Sequence, residues 1–138
     1  MDEIRVPVSP GELIDKITIL RIKAARIADP AKLTNVRLEL ARLEDAWAQS
    51  PFAHADVRTE QDALHAVNER LWVIEDDIRG KERAQAFDAE FIRLARAVYF
   101  ENDERAALKR RINVKLGSQI VEEKSYAGYG RSPGSGDA

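Results

Sequence analysis

Apolar residues recur every three or four positions through most of the chain, the period of helices that bury one face. Leu13, Ile17, Leu20, Ala24 and Ile27 mark the first such stripe, on a helix expected from roughly Pro10 to Ala28. Its start is written in Ser9-Pro10-Gly11-Glu12: serine caps, proline takes the first helical position, and glutamate closes a capping box. Ile19 and Ile22 fall on the opposite side, so this helix should be buried on two faces, by the bundle or by a second subunit. Asp29-Pro30 repeats the cap-and-proline signal and opens a second helix ending near Gln49, with Leu33, Val36, Leu40, Leu43 and Trp47 as its stripe. A loop over 51–56 precedes a third helix, from about Asp56 to Arg79, striped by Leu64, Val67, Leu71, Ile74 and Ile78 and stopped at Gly80. The fourth and longest helix begins between Ala84 and Asp88 and runs to Leu116, with Gly117 suited to the position after its cap. An extended arm at Ile4–Val8, a short helical or docked piece over 118–126 and a disordered Gly/Ser/Pro-rich tail from 128 complete the reading. The fold class is all-α: an antiparallel bundle of about four helices, with residues 1–127 as one domain.

The fourth stripe is interrupted. Taking Val98 as zero and about 100° per residue, Phe87, Phe91, Leu94, Ile112 and Leu116 lie within about 40° of it. Asn102, Arg105 and Lys109 lie in the same window, and Glu101 at its edge. A buried cation costs several kcal/mol unless it is paired, hydrated or open to a ligand. In an antiparallel hairpin, Asn68 of the third helix stands level with 98–105, whereas Glu75 stands level with the low nineties and fits Arg105 poorly. A partner for Arg105 is then expected from a symmetric copy or from the first helix, where Asp15, Lys16 and Arg21 lie near the seam. Three readings stay open. The window is a buried salt-bridge network that fixes register, a pocket where Arg105 and Lys109 meet an anionic small molecule oriented by Asn102, or a protein-binding surface.

Composition narrows the setting. The chain has 138 residues, no cysteine, and 22 basic against 24 acidic residues for a net charge of −2. Thiolate chemistry is excluded, and a basic excess of the kind nucleic-acid binding uses is absent. No apolar run is long enough for a membrane span, and Asp2 and Glu3 replace the basic flank of a signal peptide, so a cytoplasmic protein is expected. The run Lys109-Arg110-Arg111 reads as a solvated face before it reads as a phosphate site. Glu12 with Asp15 and Glu101 with Glu104 place carboxylate pairs on single helix faces, as magnesium-dependent helical pyrophosphatases do. Glu12 is already explained as a cap, and no metal or cofactor is called for. His54 and His65 lack catalytic spacing, and no nucleotide-binding or nucleophile-elbow motif occurs. Trp72 lies off the centre of its stripe and suits an interface; Tyr126 and Tyr129 belong to the tail.

The strings PVSPGELIDKITILRIK at 7–23, LWVIEDDIR at 71–79, ENDERAALKRRIN at 101–113 and EEKSY at 122–126 resemble a bacterial family of short helical proteins of unknown function. The likeness covers about residues 4–126 and implies a self-standing helical module whose polar stretches are a shared signature. LIDKITILRIKAARI is also similar to the long first helix of the all-helical chorismate mutases, which bind a dicarboxylate among cations. By that likeness Arg21, Arg105 and Lys109 would be the cations, though the later helices differ in order and length. The expectation is a binding or interaction module, homodimeric, with Asn102, Arg105, Lys109, Glu101, Glu75, Asn68, Arg21 and Trp72 as candidate site residues. Its ligand or partner would be an anionic small molecule or a protein. The alternative is a small enzyme on an anionic metabolite or nucleotide, mutase-like or phosphohydrolase-like.

Overall fold

A computed structural model describes residues 2–126 and 128. They form four helices: α1 Pro10–Arg26, α2 Pro30–Ala48, α3 Arg58–Arg83 and α4 Ala89–Lys115. No strand occurs among them. The anticipated disordered tail, Tyr129 included, lies outside the described residues except for Gly128.

Local chemistry sets the ends. Ser9 accepts from the Glu12 amide at 3.2 Å with Pro10 at the first position, and Asp29 does the same for Ala31 ahead of α2. Asp88 caps α4 by accepting from Phe91 N at 3.0 Å. Its far end closes in a Schellman turn: Ser118 N donates to Asn113 O and Gly117 N to Val114 O, with Gly117 at φ +66°. Gly80, expected as a stop, lies inside α3, which continues to Arg83 and turns at Gln85, φ +54°. A single glycine costs a helix only about 1 kcal/mol, and the Lys81–Asp88 ion pair at 2.9 Å holds the hairpin beyond it. Phe87 was expected on the inner face of the fourth helix. It precedes α4 instead, 53% exposed, with its ring edge-on to Phe91.

α1 is the centre of the bundle. It packs against α2, α3 and α4; α3 packs against α4; α2 touches α1 alone. This resolves the two apolar faces of α1 within one chain: Ile14, Ile17, Leu20 and Ile22 are all buried, and Ile19 is half-buried. Ile14, Val57, Leu64, Val67, Leu108 and Ile112 form the main core, with Trp47, Leu71 and Leu116 packed against it. Each such side chain contributes about 1.5–3 kcal/mol through burial. The described residues of the arm before Ser9 have no regular structure and are exposed, Ile4 at 90%, and an ion pair between Glu3 and Arg42 links the arm to α2. Residues 118–126 have no regular structure and are docked along α4 by charge, as described below.

Candidate functional site

The site begins with a carboxylate that has no access to water. Asp15, on the inner face of α1, has a side chain 0% exposed. Arg105 reaches it from α4 in a forked geometry, Nε at 2.9 and 3.1 Å from the two carboxylate oxygens and Nη2 at 2.5 Å. Asn68 of α3 donates Nδ2 to Asp15 at 2.9 Å and to Thr18 Oγ1 at 2.9 Å, and Thr18 donates in turn to the Asp15 carbonyl. Three donor groups making four contacts on one carboxylate offset its desolvation, and the pair is charge-assisted. The Asp15 hydrogen bonds raise the pKa of Arg105, overcoming the opposite effect of burial. Arg105 Nη1 points back to Asn102 Oδ1 at 3.4 Å. Three helices are thus tied at one level by a single ionic centre.

A second pair lies one turn along. Lys109 bridges Glu12 at 2.5 Å and Glu122 at 3.5 Å. Burial works to raise the pKa of Glu12, but hydrogen bonding and charge from Lys109 outweigh it, and the carboxyl stays below its ordinary range. Below that pair the two backbones nearly touch. Gly11 N donates to Asn113 Oδ1 at 2.7 Å, and a Cβ on Gly11 would stand 2.9 Å from that oxygen and closer still to the Lys109 carbonyl. Only glycine permits this approach.

Beside the ionic centre, α1, α3 and α4 leave a cleft of about 480 Å³. Ile19, Ile22, Leu71 and Trp72 supply its apolar walls. Asn68, Asn102 and Arg105 line it at the Asp15 level, and Glu75, Asp76 and Arg79 line it further along α3. Five of the eight candidates read from sequence meet here: Asn68, Trp72, Glu75, Asn102 and Arg105. Glu75 does not pair with Arg105; its ion pair is with Arg79, 3.3 Å away.

The other three candidates lie elsewhere. Arg21 pairs with Glu44 of α2 on the surface at 2.8 Å, and Glu101 pairs with Arg70 of α3 at 2.8 Å. Lys109 shares the face of Arg105 but serves the Glu12 pair and borders a separate space of about 70 Å³ under residues 122–124. Arg105 and Lys109, on one face of α4, thus serve two neighbouring ionic centres and not one. The acidic steps weighed as metal sites are also occupied by cations: Glu12 by Lys109, Asp15 by Arg105, and Glu101 with Glu104 by Arg70. Among the described residues no group of three candidate ligands gathers around a common point. Of the run Lys109-Arg110-Arg111, Arg110 pairs with Glu123 at 3.2 Å, while Arg111 is exposed. Lys124 reaches Asp103, so three cation–carboxylate pairs strap residues 122–124 to α4.

Thr18, Gly11 and Asn113 escaped the sequence reading. Asn113 carried a usable signal, an amide directly after the apolar Ile112 on the inner side of α4. Asp76 and Arg79 carried none, because both are exposed residues of a charged helix face.

No described helix is long and apolar enough to cross a membrane. No curated protein and no solved structure matches the chain. A family model matches residues 4–136, ten residues beyond the resemblance visible in the sequence, which stops at Tyr126. Matched over nearly its whole length, the chain belongs to the family of unknown function DUF6165.

Proposed function

We propose that this chain is a binding module, and that its site is the cleft between α1, α3 and α4. The carrying observation is the cleft itself: about 480 Å³ with hydrophobic walls and a few convergent polar groups, the ordinary form of a small-molecule site. The Asp15 network supports this reading by fixing Arg105, Asn68 and Asn102 in place before any ligand arrives. Because Asp15 already balances the charge of Arg105, what this end of the cleft offers a ligand is hydrogen-bond donors more than net positive charge. The enzyme alternative finds less support: Asp15 is enclosed and Glu12 is held by Lys109, leaving neither carboxylate free to act on a substrate.

A thermal-shift screen across carboxylates, amines, zwitterions, sugar phosphates and nucleotides, with and without magnesium, tests the site. A true ligand stabilises by mass action, about 2.7 kcal/mol at a hundred times its Kd. The shift should disappear in Ile19→Trp, whose indole would fill the cleft. Stabilisation that survives in Ile19→Trp would place binding elsewhere and overturn the reading, as would a screen without a single hit.

Homodimerisation is supported by one observation on α2. Its stripe residues Leu33, Leu40, Leu43 and Trp47 are only half-buried, and Leu38 is 59% exposed. A second copy covering this helix would appear as a dimer in sedimentation equilibrium that Leu38→Glu dissociates. A monomer at high concentration would remove that support.

A further inference from the structure

The polar groups of the cleft are divided by kind, and the division says what class of ligand it fits. At the Asp15 end, Asn68 uses Nδ2 on Asp15 and Thr18, and Arg105 uses Nε and Nη2 on Asp15. What Arg105 has left for the cleft is Nη1, which already leans on Asn102 Oδ1, and the second hydrogen of Nη2. Asn102 spends its Oδ1 on that contact, and the amide group it has left, Nδ2, is a donor. This end therefore offers N–H groups to an acceptor. Further along α3, Glu75 and Asp76 offer two carboxylates against the single cation Arg79, which is the more exposed partner of its pair with Glu75. That end carries net negative charge and suits a cation. Ile19, Ile22, Leu71 and the Trp72 ring lie among these groups in the same lining.

We infer that the cleft takes an extended zwitterion: a carboxylate at Arg105 and Asn102, a flat or aliphatic body against Trp72, and an ammonium at Glu75 and Asp76. The inference deepens the binding-module reading and rests on it. Spacing decides between kinds of zwitterion. Asn68 and Glu75 are about 10 Å apart along the axis of α3 at 1.5 Å per residue. An α-amino acid carries its two charges on one carbon and cannot reach both ends. An ω-amino carboxylate, with its charges separated by a ring or a chain of methylenes, can. Trp72 adds a surface for the body of such a ligand and, when that body carries the cation close by, an attractive ring face.

Isothermal titration of the full-length chain with three probes of nearly equal shape tests this. The probes are 4-(aminomethyl)benzoate, benzylamine and 4-methylbenzoate. The zwitterion should bind more tightly than either singly charged probe, by up to about fivefold, as one added exposed ion pair permits. Replacing both acids, Glu75→Gln with Asp76→Asn, should bring the zwitterion down to the level of 4-methylbenzoate and leave 4-methylbenzoate unchanged. Both side chains lie at the surface, so the fold is retained. Equal binding of 4-methylbenzoate and the zwitterion, or an unchanged ratio in the double variant, would overturn the zwitterion while leaving the cleft as a site. Binding by none of the three would also overturn it, and the broad screen with Ile19→Trp would then decide the cleft separately.

Discussion

α1 and α2 begin in the same way, with a capping side chain followed by proline, and carry the same alternation of three and four between apolar positions. Their fates differ. Eight residues of α1 are buried, including Asp15 and Thr18; α2 buries Val36 alone. The reason is the number of neighbours: α1 lies against three helices and α2 against one. A stripe of leucines states that a helix has an inner side, but only the rest of the fold states how much lies across from it. The polar content follows the same division. Asp15 in α1 is enclosed and fully bonded, whereas the links of α2 to its surroundings, such as Glu44 to Arg21, stay at the surface, where an ion pair contributes about 0–1 kcal/mol.

The contrast can be broken most severely at Asp15. Arg105→Met leaves a buried carboxylate without its cation and should destabilise by about 3–5 kcal/mol in urea unfolding. Asp15→Leu combined with Arg105→Met should recover most of that loss, because the desolvated charges leave together. A double variant as weak as the single one would show that the pair contributes more than mutual compensation. Next in size come cavities. Leu20→Ala in α1 should cost about 2–5 kcal/mol, and Leu40→Ala in the half-covered stripe of α2 markedly less. Native-state hydrogen exchange sharpens the point: amides of α2 should exchange through local opening at lower free energy than those of α1.

Gly11→Ala comes third. The added methyl meets the Lys109 carbonyl and Asn113, so the α1–α4 contact must widen at a cost of about 1–3 kcal/mol. The smallest effect is a pH dependence. Glu12 and Glu60 both have lowered pKa values in the fold, Glu60 chiefly through its 2.7 Å hydrogen bond from Lys115. Their contribution is fully present above the usual carboxylate value of about 4.3 and is lost as pH falls through the lower folded values. Stability should therefore be flat from neutrality down to about pH 5 and decline below it, less steeply in Glu12→Gln with Glu60→Gln.

The helices were legible because caps, prolines and periodicity are local. Ser9, Asp29 and Gly117 each set a boundary through bonds to residues within a few positions. Gly80 misled because an isolated glycine weakens a helix without ending it, and the true stop depends on the whole hairpin. The interruption at Asn102, Arg105 and Lys109 was visible for the same reason as the helices: it violates a period. Its partition was not. Whether Arg105 and Lys109 serve one centre or two depends on Asp15 and Glu12, which sit on another helix at a height that no spacing within α4 encodes. Asp76 and Arg79 join the cleft only because α1 and α4 leave that side of α3 open.

The bond from Gly11 to Asn113 joins residues 102 positions apart, one at the start of α1 and the other near the end of α4. During synthesis, then, α1 must wait for α2, α3 and most of α4 before Asn113 leaves the ribosome. Chains released before Asn113 would lack both that bond and the buried Ile112 just ahead of it, so they should fail as a whole instead of losing a terminal turn. The exposed arm before Ser9, by contrast, should be dispensable to assembly.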